Sequence, residues 1–223
     1  MGDLMQPTDR PGIYEKNDRL FTINPEGCKG IKVYNEQLFM EDEREYRSWN
    51  PYRSKLAAAL LKGLPFDVPV DAQILYLGAA TGTTVSHLSD IVTKGVLYAV
   101  ESSPVAIISL LKVAEKRGNI IPILSDANHP ERYQQMVPSV DVVYQDISQR
   151  NQAEIFTRNI EAYLKQKGTG VIMVKARSID VALKPKQAYE LVCSFLQKQK
   201  FNIRKTVDLA PFEKDHAAIL ITR

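Results

Sequence analysis

Ile74-Leu-Tyr-Leu-Gly-Ala-Ala-Thr-Gly-Thr-Thr84 runs from apolar residues into a small-residue turn, and helical spacing resumes at Val85, Leu88 and Ile91. Strand, tight turn, helix is the local architecture of a nucleotide-cofactor site. Gly78 and Gly82 are expected to let the backbone approach a ligand with no side chain in the way. The spacing is G-x-x-x-G, neither the G-x-G-x-x-G of a dinucleotide fold nor a P-loop, and no Lys follows to grip a phosphate. A small uncharged turn suits a cofactor that carries an adenosine and no phosphates, of which S-adenosylmethionine is the commonest. Taken alone, the loop also reads as a plain structural turn.

The next segments add acids at regular places. Gly95-Val-Leu-Tyr-Ala-Val-Glu101 reads as a second strand, starting one helix after the first as a βαβ unit requires. Glu101 stands 19 residues after Gly82, close to the roughly 20 expected of an acid that accepts from cofactor ribose hydroxyls. A third strand, Ile120 to Ser125, delivers Asp126-Ala127 towards an adenine amino group, and a fourth, Val140 to Tyr144, delivers Asp146. Each acid alone could be a surface residue at a strand end. Together with the glycine loop they make a nucleotide site.

Helical spacing follows over Asn151–Lys165, a short buried strand over Gly170–Lys175, and a helix over Lys186–Lys200 with Ala188, Leu191, Val192, Phe195 and Leu196 on one face. Phe201–Leu209 and Ala217–Thr222 read as a strand pair joined by a Pro-containing turn. Strands alternating with helices imply an α/β, doubly wound, Rossmann-like fold of seven strands, with antiparallel strands at its end. This is the class I S-adenosylmethionine-dependent methyltransferase pattern, assigned to residues 52–223. Residues 1–51 hold short β-like runs (Gly12-Ile-Tyr-Glu, Leu20-Phe-Thr-Ile, Ile31-Lys-Val-Tyr) punctuated by Asn17-Asp18, Pro25-Glu-Gly27 and Asn35. They are read as a small β-rich appendage, too short to bury a core alone and therefore packed on the main domain.

At 223 residues and 44% hydrophobic, the chain has enough apolar material for one full core. No run of about 18 apolar residues marks a membrane span, and Met1–Arg10 is polar, so no signal peptide is read and a cytoplasmic location is expected. Cys28 and Cys193 are isolated thiols and His87, His129 and His216 are scattered, which predicts neither a disulfide nor a metal site. The formal charge of +3 conceals a gradient. Residues 150–223 carry 14 basic and 7 acidic groups, including Lys175, Arg177, Lys184 and Lys186 beside one strand end. That patch reads either as a polyanion surface or as a solvated face of helix-end lysines.

Four segments together resemble the fibrillarin family, the methyltransferases of box C/D guide ribonucleoproteins. They are Trp49-Asn-Pro-Tyr-Arg-Ser-Lys-Leu-Ala-Ala-Ala59, Tyr76-Leu-Gly-Ala-Ala-Thr-Gly-Thr-Thr-Val-Ser-His-Leu-Ser-Asp90, Asp141-Val-Val-Tyr-Gln-Asp-Ile-Ser-Gln149 and Lys175-Ala-Arg-Ser-Ile-Asp180. With no glycine/arginine-rich leader, the chain resembles the archaeal form. Ser102 and Asn128 depart from the family pattern, which usually has an aromatic and an Arg there.

The resemblance implies methyl transfer from S-adenosylmethionine to a ribose 2′-hydroxyl of rRNA, with tRNA as a second substrate class. It places cofactor contacts at Thr83, Thr84, Glu101, Ser102, Asp126, Ala127 and Asp146, Ile147, Ser148 and Gln149, beside Gly78 and Ala79 of the loop. It places the catalytic group at Lys55, Asp146 and Lys175, with a fourth member at the start of the last strand: His216 by register, or Asp215 after a one-residue slip. Lys175 is expected to orient the hydroxyl and take its proton, with Lys55 lowering its pKa by like-charge repulsion. Asp146 is expected to hold the lysines near the methyl. Without the resemblance, Lys55 reads as an exposed helix residue and His216 as an ordinary strand-end histidine.

Arg53 and Arg177 either touch substrate phosphate or pair with nearby acids. The implied partners are a Nop-family scaffold protein, a kink-turn-binding ribosomal-protein-like protein, the box C/D guide RNA and the target RNA, with no membrane. Two rival classes remain on the same fold, a small-molecule O-methyltransferase and a non-catalytic assembly module.

Overall fold

The structure, a computed structural model, describes residues 4–223. Two sheets share one core. The smaller is antiparallel, built from β1 (Gln6–Pro7), β2 (Tyr14–Lys16), β3 (Arg19–Ile23), β4 (Leu38–Glu41) and β5 (Arg44–Trp49) in the order β1-β2-β3-β5-β4. After it come α1 (Lys55–Leu61), β6 (Gln73–Leu77), α2 (Thr83–Ile91), β7 (Val96–Glu101), α3 (Pro104–Lys116) and β8 (Ile120–Leu124). The chain then forms β9 (Val140–Gln145), α4 (Gln152–Tyr163), β10 (Leu164–Lys175), the single turn α5 (Ala176–Ile179), α6 (Pro185–Lys198), β11 (Asn202–Asp208) and β12 (His216–Thr222). The large sheet has the order β11-β12-β10-β9-β6-β7-β8, with β12 antiparallel to both of its neighbours.

Alternation along the strands sorts the core into two layers. Ile74, Tyr76, Val142, Tyr144, Val171, Met173, Ala218 and Leu220 meet α1, α2 and α3 on one face. Leu75, Leu77, Val143, Ile172, Val174, Ala217 and Ile219 meet α4 and α6 on the other. Helices on both faces of a seven-stranded sheet are the doubly wound architecture expected.

Several elements differ from the expectation. Ile31–Tyr34 is not a strand; Val33 and Tyr34 instead donate backbone N–H bonds to the buried Glu36 carboxylate at 2.8–3.1 Å. A hairpin, β4–β5, stands where none was read. Its inward positions on β5 include Glu45 and Arg47, both buried, so charged residues hide the period-two pattern. Its turn takes positive φ at Asp42 (49°) and Glu43 (63°) with no glycine to announce it. On α6, Leu191 is 54% exposed, and the buried face is Ala188, Tyr189, Val192 and Leu196. The strand read at Gly170 begins at Leu164, directly where α4 ends.

Ile13, Leu20 and Trp49 of the small sheet enter the main core beside Leu56, Leu88 and Ile91. Beside that contact lies a buried polar seam. Arg47, wholly buried, pairs with Glu36 at 2.6 Å and with Asp90 of α2 at 2.5 Å. Arg117 reaches Asp90 at 3.3 Å and Asn24 at 3.0 Å. Burial opposes ionisation of Glu36, yet Arg47 and the N–H groups of Tyr34 and Val33 hold it below the ordinary carboxylate range.

Candidate active site

The parallel order turns at β6, which lies between β9 and β7, and a pocket of about 270 Å³ opens outside the carboxyl ends of these strands. Such a switch point is where open α/β sheets bind ligands. The turn after β6 is held by Gly78 and Ala79, whose N–H groups both donate to Val100 O at 2.9 and 3.0 Å.

Both loop glycines are required by the protein's own packing, and Gly78 also lines the pocket. Gly78 has φ +81°, and a Cβ there would stand 2.4 Å from Asp146 O. Gly82, at φ +93°, caps α2, and a Cβ there would meet Leu110 and Val113 of α3 at 3.1–3.3 Å. The spacing of the glycines therefore reflects close approach by the segment after β9 and by α3.

Among the expected cofactor residues, Gly78, Glu101, Ser102, Asp126, Ala127, Asp146, Ile147, Ser148 and Gln149 line the pocket, joined by Ala80, Val100 and Ser125. Ala79, Thr83 and Thr84 do not. Ala79 is buried in the core, and Thr84 shares a 2.9 Å hydrogen bond with Ser54, the N-cap of α1. Ser54 also accepts from the Trp49 indole N–H at 2.9 Å and from Ala57 N–H. Thr84 and Trp49 thus fix the start of the helix that carries Lys55.

Glu101, 9% exposed, accepts from Ala80 N–H and Ser103 N–H, both at 2.7 Å, one on each carboxylate oxygen. Further lone pairs remain for a ligand's hydroxyls. Asp126 is held below its ordinary pKa first by the Asn128 backbone N–H, with help from the Asn128 side chain. Asn128 also donates to Gln149 at 2.9 Å, so it ties two walls of the pocket together. The lining carries three carboxylates and no Lys or Arg. That set of acceptors repels phosphates and matches a cofactor with hydroxyls, amines and a positive sulfur.

Lys55 forms an ion pair with Asp146, Nζ lying 2.9 Å from Oδ1 and 3.0 Å from Oδ2. Lys175, the last residue of β10, stands in register opposite His216, the first of β12. Directly opposed residues of an antiparallel pair project to the same face. By alternation from Met173 and Ala218, that face is the one covered by α1. Asp146, two residues beyond Tyr144, continues the same alternation and meets Lys55 there. The lysines, the aspartate and the histidine therefore converge on one side of the sheet's carboxyl edge.

His216 Nδ1 donates to Lys214 O at 2.7 Å and lies 3.9 Å from Glu213, so in the neutral form of the ring Nε2 is the acceptor. Asp215 instead turns its carboxylate onto Arg177 at 2.8 Å. Arg53 is exposed and makes no ion pair among the described residues. Gln152, fully buried, was not foreseen. Its side chain accepts from Lys175 N–H at 3.0 Å and donates to Lys175 O and Gln149 O, so one amide aligns the end of β10 with the pocket wall. Among the described residues, no group of three or more His, Cys, Asp or Glu is placed to hold a metal.

The family model described as Fibrillarin matches residues 6–223. A relative from Methanothermobacter thermautotrophicus, a fibrillarin-like rRNA/tRNA 2′-O-methyltransferase, is 46% identical over 213 residues, covering 95% of this chain and 94% of its own. A crystal structure of Aeropyrum pernix fibrillarin with natively bound S-adenosyl-L-methionine is similar over 99% of this chain and 100% of that one, at 43% identity and a TM-score of 0.87. A fibrillarin/Nop5p complex matches 97% of this chain and 100% of that one, at 44% identity and a TM-score of 0.87.

Proposed function

The chain belongs to the fibrillarin family, and from that premise we propose that it methylates ribose 2′-hydroxyls of rRNA and tRNA as the catalytic subunit of a box C/D guide RNA–protein particle. The observation that carries this reading is the convergence of Lys55, Asp146, Lys175 and His216 beside a phosphate-repelling pocket.

The pocket fits S-adenosylmethionine, which supplies a methyl group on a positive sulfur and departs as a neutral thioether. Glu101 binds the ribose of that cofactor, and Asp126 with Ala127 faces its adenine. Asp146 places negative charge beside the sulfonium and holds Lys55. Lys175 orients the target 2′-hydroxyl and takes its proton as the O–C bond forms and the C–S bond breaks. His216 presents an acceptor on the same face and positions Lys175. Alignment and proton removal are the two demands of a displacement by a weak nucleophile, and each has a named side chain.

A Nop-family scaffold docks the enzyme, as the related complex with Nop5p suggests. A kink-turn-binding protein and a guide RNA complete the particle, so base pairing selects the nucleotide. The test is transfer of a labelled methyl group to a short RNA, first by the protein alone and then with scaffold, kink-turn binder and complementary guide. Transfer to one ribose in the full mixture is the expected result. No transfer in either mixture, with cofactor binding intact, would sink the reading.

A further inference from the structure

Apart from the cofactor pocket, two concavities run along the seam between the small sheet and the main domain. A cavity of about 780 Å³ is walled by Arg19, Tyr34, Trp49, Tyr52, Arg53 and Phe212. A second, of about 540 Å³, is walled by Lys32, Tyr34, Arg53, Thr81, Lys112 and Lys116. Tyr34 and Arg53 line both, so the two form one trough with an aromatic end and a basic end.

Three features of the trough point to its occupant. Tyr52 is 60% exposed and meets Phe212 in a T-shaped contact at a ring-centroid distance of 5.3 Å, so most of its ring is free for stacking. Lys32, Arg53, Lys112 and Lys116 make no ion pair among the described residues, so their charges are available. Asp18, Glu36 and Glu115 also reach the walls, but Glu36 is already committed to Arg47. Unpaired cations beside an open aromatic face are the two components of a surface for single-stranded nucleic acid.

Placement supports the same occupant. The trough lies on the α1 and α3 side of the large sheet, the side to which Lys55, Lys175 and His216 project. Arg53 is two residues before Lys55, and Phe212 precedes His216 in the β11–β12 turn. The basic patch of the last third is a weaker alternative. Its Arg177 is held by Asp215, and the cavity beside it, walled by Arg150, Ile179, Asp180, Leu183 and Leu191, has no aromatic side chain on which a base could stack.

We propose that this trough receives the target RNA strand beside the methylated nucleotide, with phosphates along Lys32, Lys112 and Lys116 and a base stacked on Tyr52. The inference rests on the RNA-methyltransferase reading and adds the surface that positions the substrate.

The test is a titration of the full chain with a fluorescein-labelled, 12-nucleotide single-stranded oligoribonucleotide across a range of salt. For single strands, each phosphate contact contributes about 0.7 to the slope of log K against log salt. Lys112→Gln with Lys116→Gln should therefore flatten the slope by about 1.4. Tyr52→Ala should weaken binding at least about fivefold, the smallest effect of a lost stacked base, and Tyr52→Trp should keep it. Lys184→Gln with Lys186→Gln should leave the slope as it is.

In the particle, the trough variants should raise the KM for target RNA about tenfold with kcat within about twofold. A wild-type slope in the Lys112/Lys116 variant together with wild-type affinity in Tyr52→Ala, or an equal or larger loss from the Lys184/Lys186 pair, overturns the proposal. So does loss of scaffold binding with unchanged RNA slopes. RNA binding along the trough with no methyl transfer by the wild type would overturn the catalytic reading instead and leave the trough standing.

Discussion

The imidazole of His87 lies flat against the indole of Trp49, ring centroids 4.9 Å apart and planes 15° from parallel. Both rings are buried at the seam, and the histidine's nitrogens are spoken for. Thr22 donates its hydroxyl to Asp90 at 2.8 Å, so it accepts from His87 Nδ1–H at 2.7 Å. The other nitrogen lies 2.7 Å from the Tyr34 hydroxyl, whose proton it shares with Ser48 O at 2.9 Å. The ring is held neutral, its pKa driven well below the ordinary value by burial first and by the charges of Arg47 and Arg117 next.

A pH dependence of stability follows. Below the ordinary histidine value of 6.5 the unfolded chain takes up a proton that the folded chain refuses. Stability therefore rises with pH through that window and is lost on acidification, by up to about 1.4 kcal/mol per pH unit for this one group. Urea midpoints measured from about pH 7.5 to 5.5 should fall for the wild type and fall less steeply for His87→Gln. Parallel curves would remove His87 as the source.

At the start of β12, the two candidates for the fourth catalytic position separate by what they touch. His216→Ala should lower kcat about tenfold or more with the KM for RNA little changed. Asp215→Ala should release Arg177 and leave kcat near the wild type, because that carboxylate faces the guanidinium. Single-turnover methyl transfer at saturating RNA distinguishes them, and the reverse order of effects would assign the role to Asp215.

Binding and chemistry should also part company. Lys175→Ala and Asp146→Ala are expected to abolish methyl transfer. Glu101→Ala should mainly weaken S-adenosylmethionine, by tenfold to a hundredfold, the equivalent of about 1.4–2.8 kcal/mol for lost charge-assisted hydrogen bonds. Calorimetric titration of the cofactor beside a transfer assay reads both. If all three variants lost only cofactor affinity, the roles given to Asp146 and Lys175 would be wrong.

Gly78→Ala and Gly82→Ala test the two meanings of the loop. Each imposes a left-handed backbone on a residue with a Cβ, at about 1–3 kcal/mol of stability. Only Gly78→Ala drives that atom into the Asp146 carbonyl. Loss of kcat should therefore be confined to Gly78→Ala, while both lower the urea midpoint. Equal loss of kcat would mean that Gly82 approaches the cofactor after all.

The doubly wound sheet is legible in the chain because its strands are buried on both faces and its helices keep an apolar stripe, as Ile74–Leu77 and Val85, Leu88 and Ile91 show. The acids at strand ends stand out for the same reason, since Glu101 and Asp146 interrupt apolar runs. The β4–β5 hairpin is not legible, because the residues it buries include Glu45 and Arg47, whose partners lie on Asn24, Glu36 and Asp90 far along the chain. Leu191 shows the converse, an apolar residue in phase with the buried stripe yet exposed. Gln152, Ser54 and Asn128 carry no spacing signal at all. An amide or a hydroxyl becomes a positioning group only when the fold brings its partners to it.

Asp146 has three attachments: its carboxylate grips Lys55, its carbonyl abuts Gly78, and with the three residues after it it walls the cofactor pocket. On the proposed mechanism, nucleophile alignment and methyl-donor seating thus hang on one backbone segment with no slack between them. A variant chosen to admit a bulkier cofactor cannot widen that wall without also retuning the lysine above it. Engineering this enzyme to transfer larger alkyl groups would have to start from the Glu101 and Asp126 walls instead.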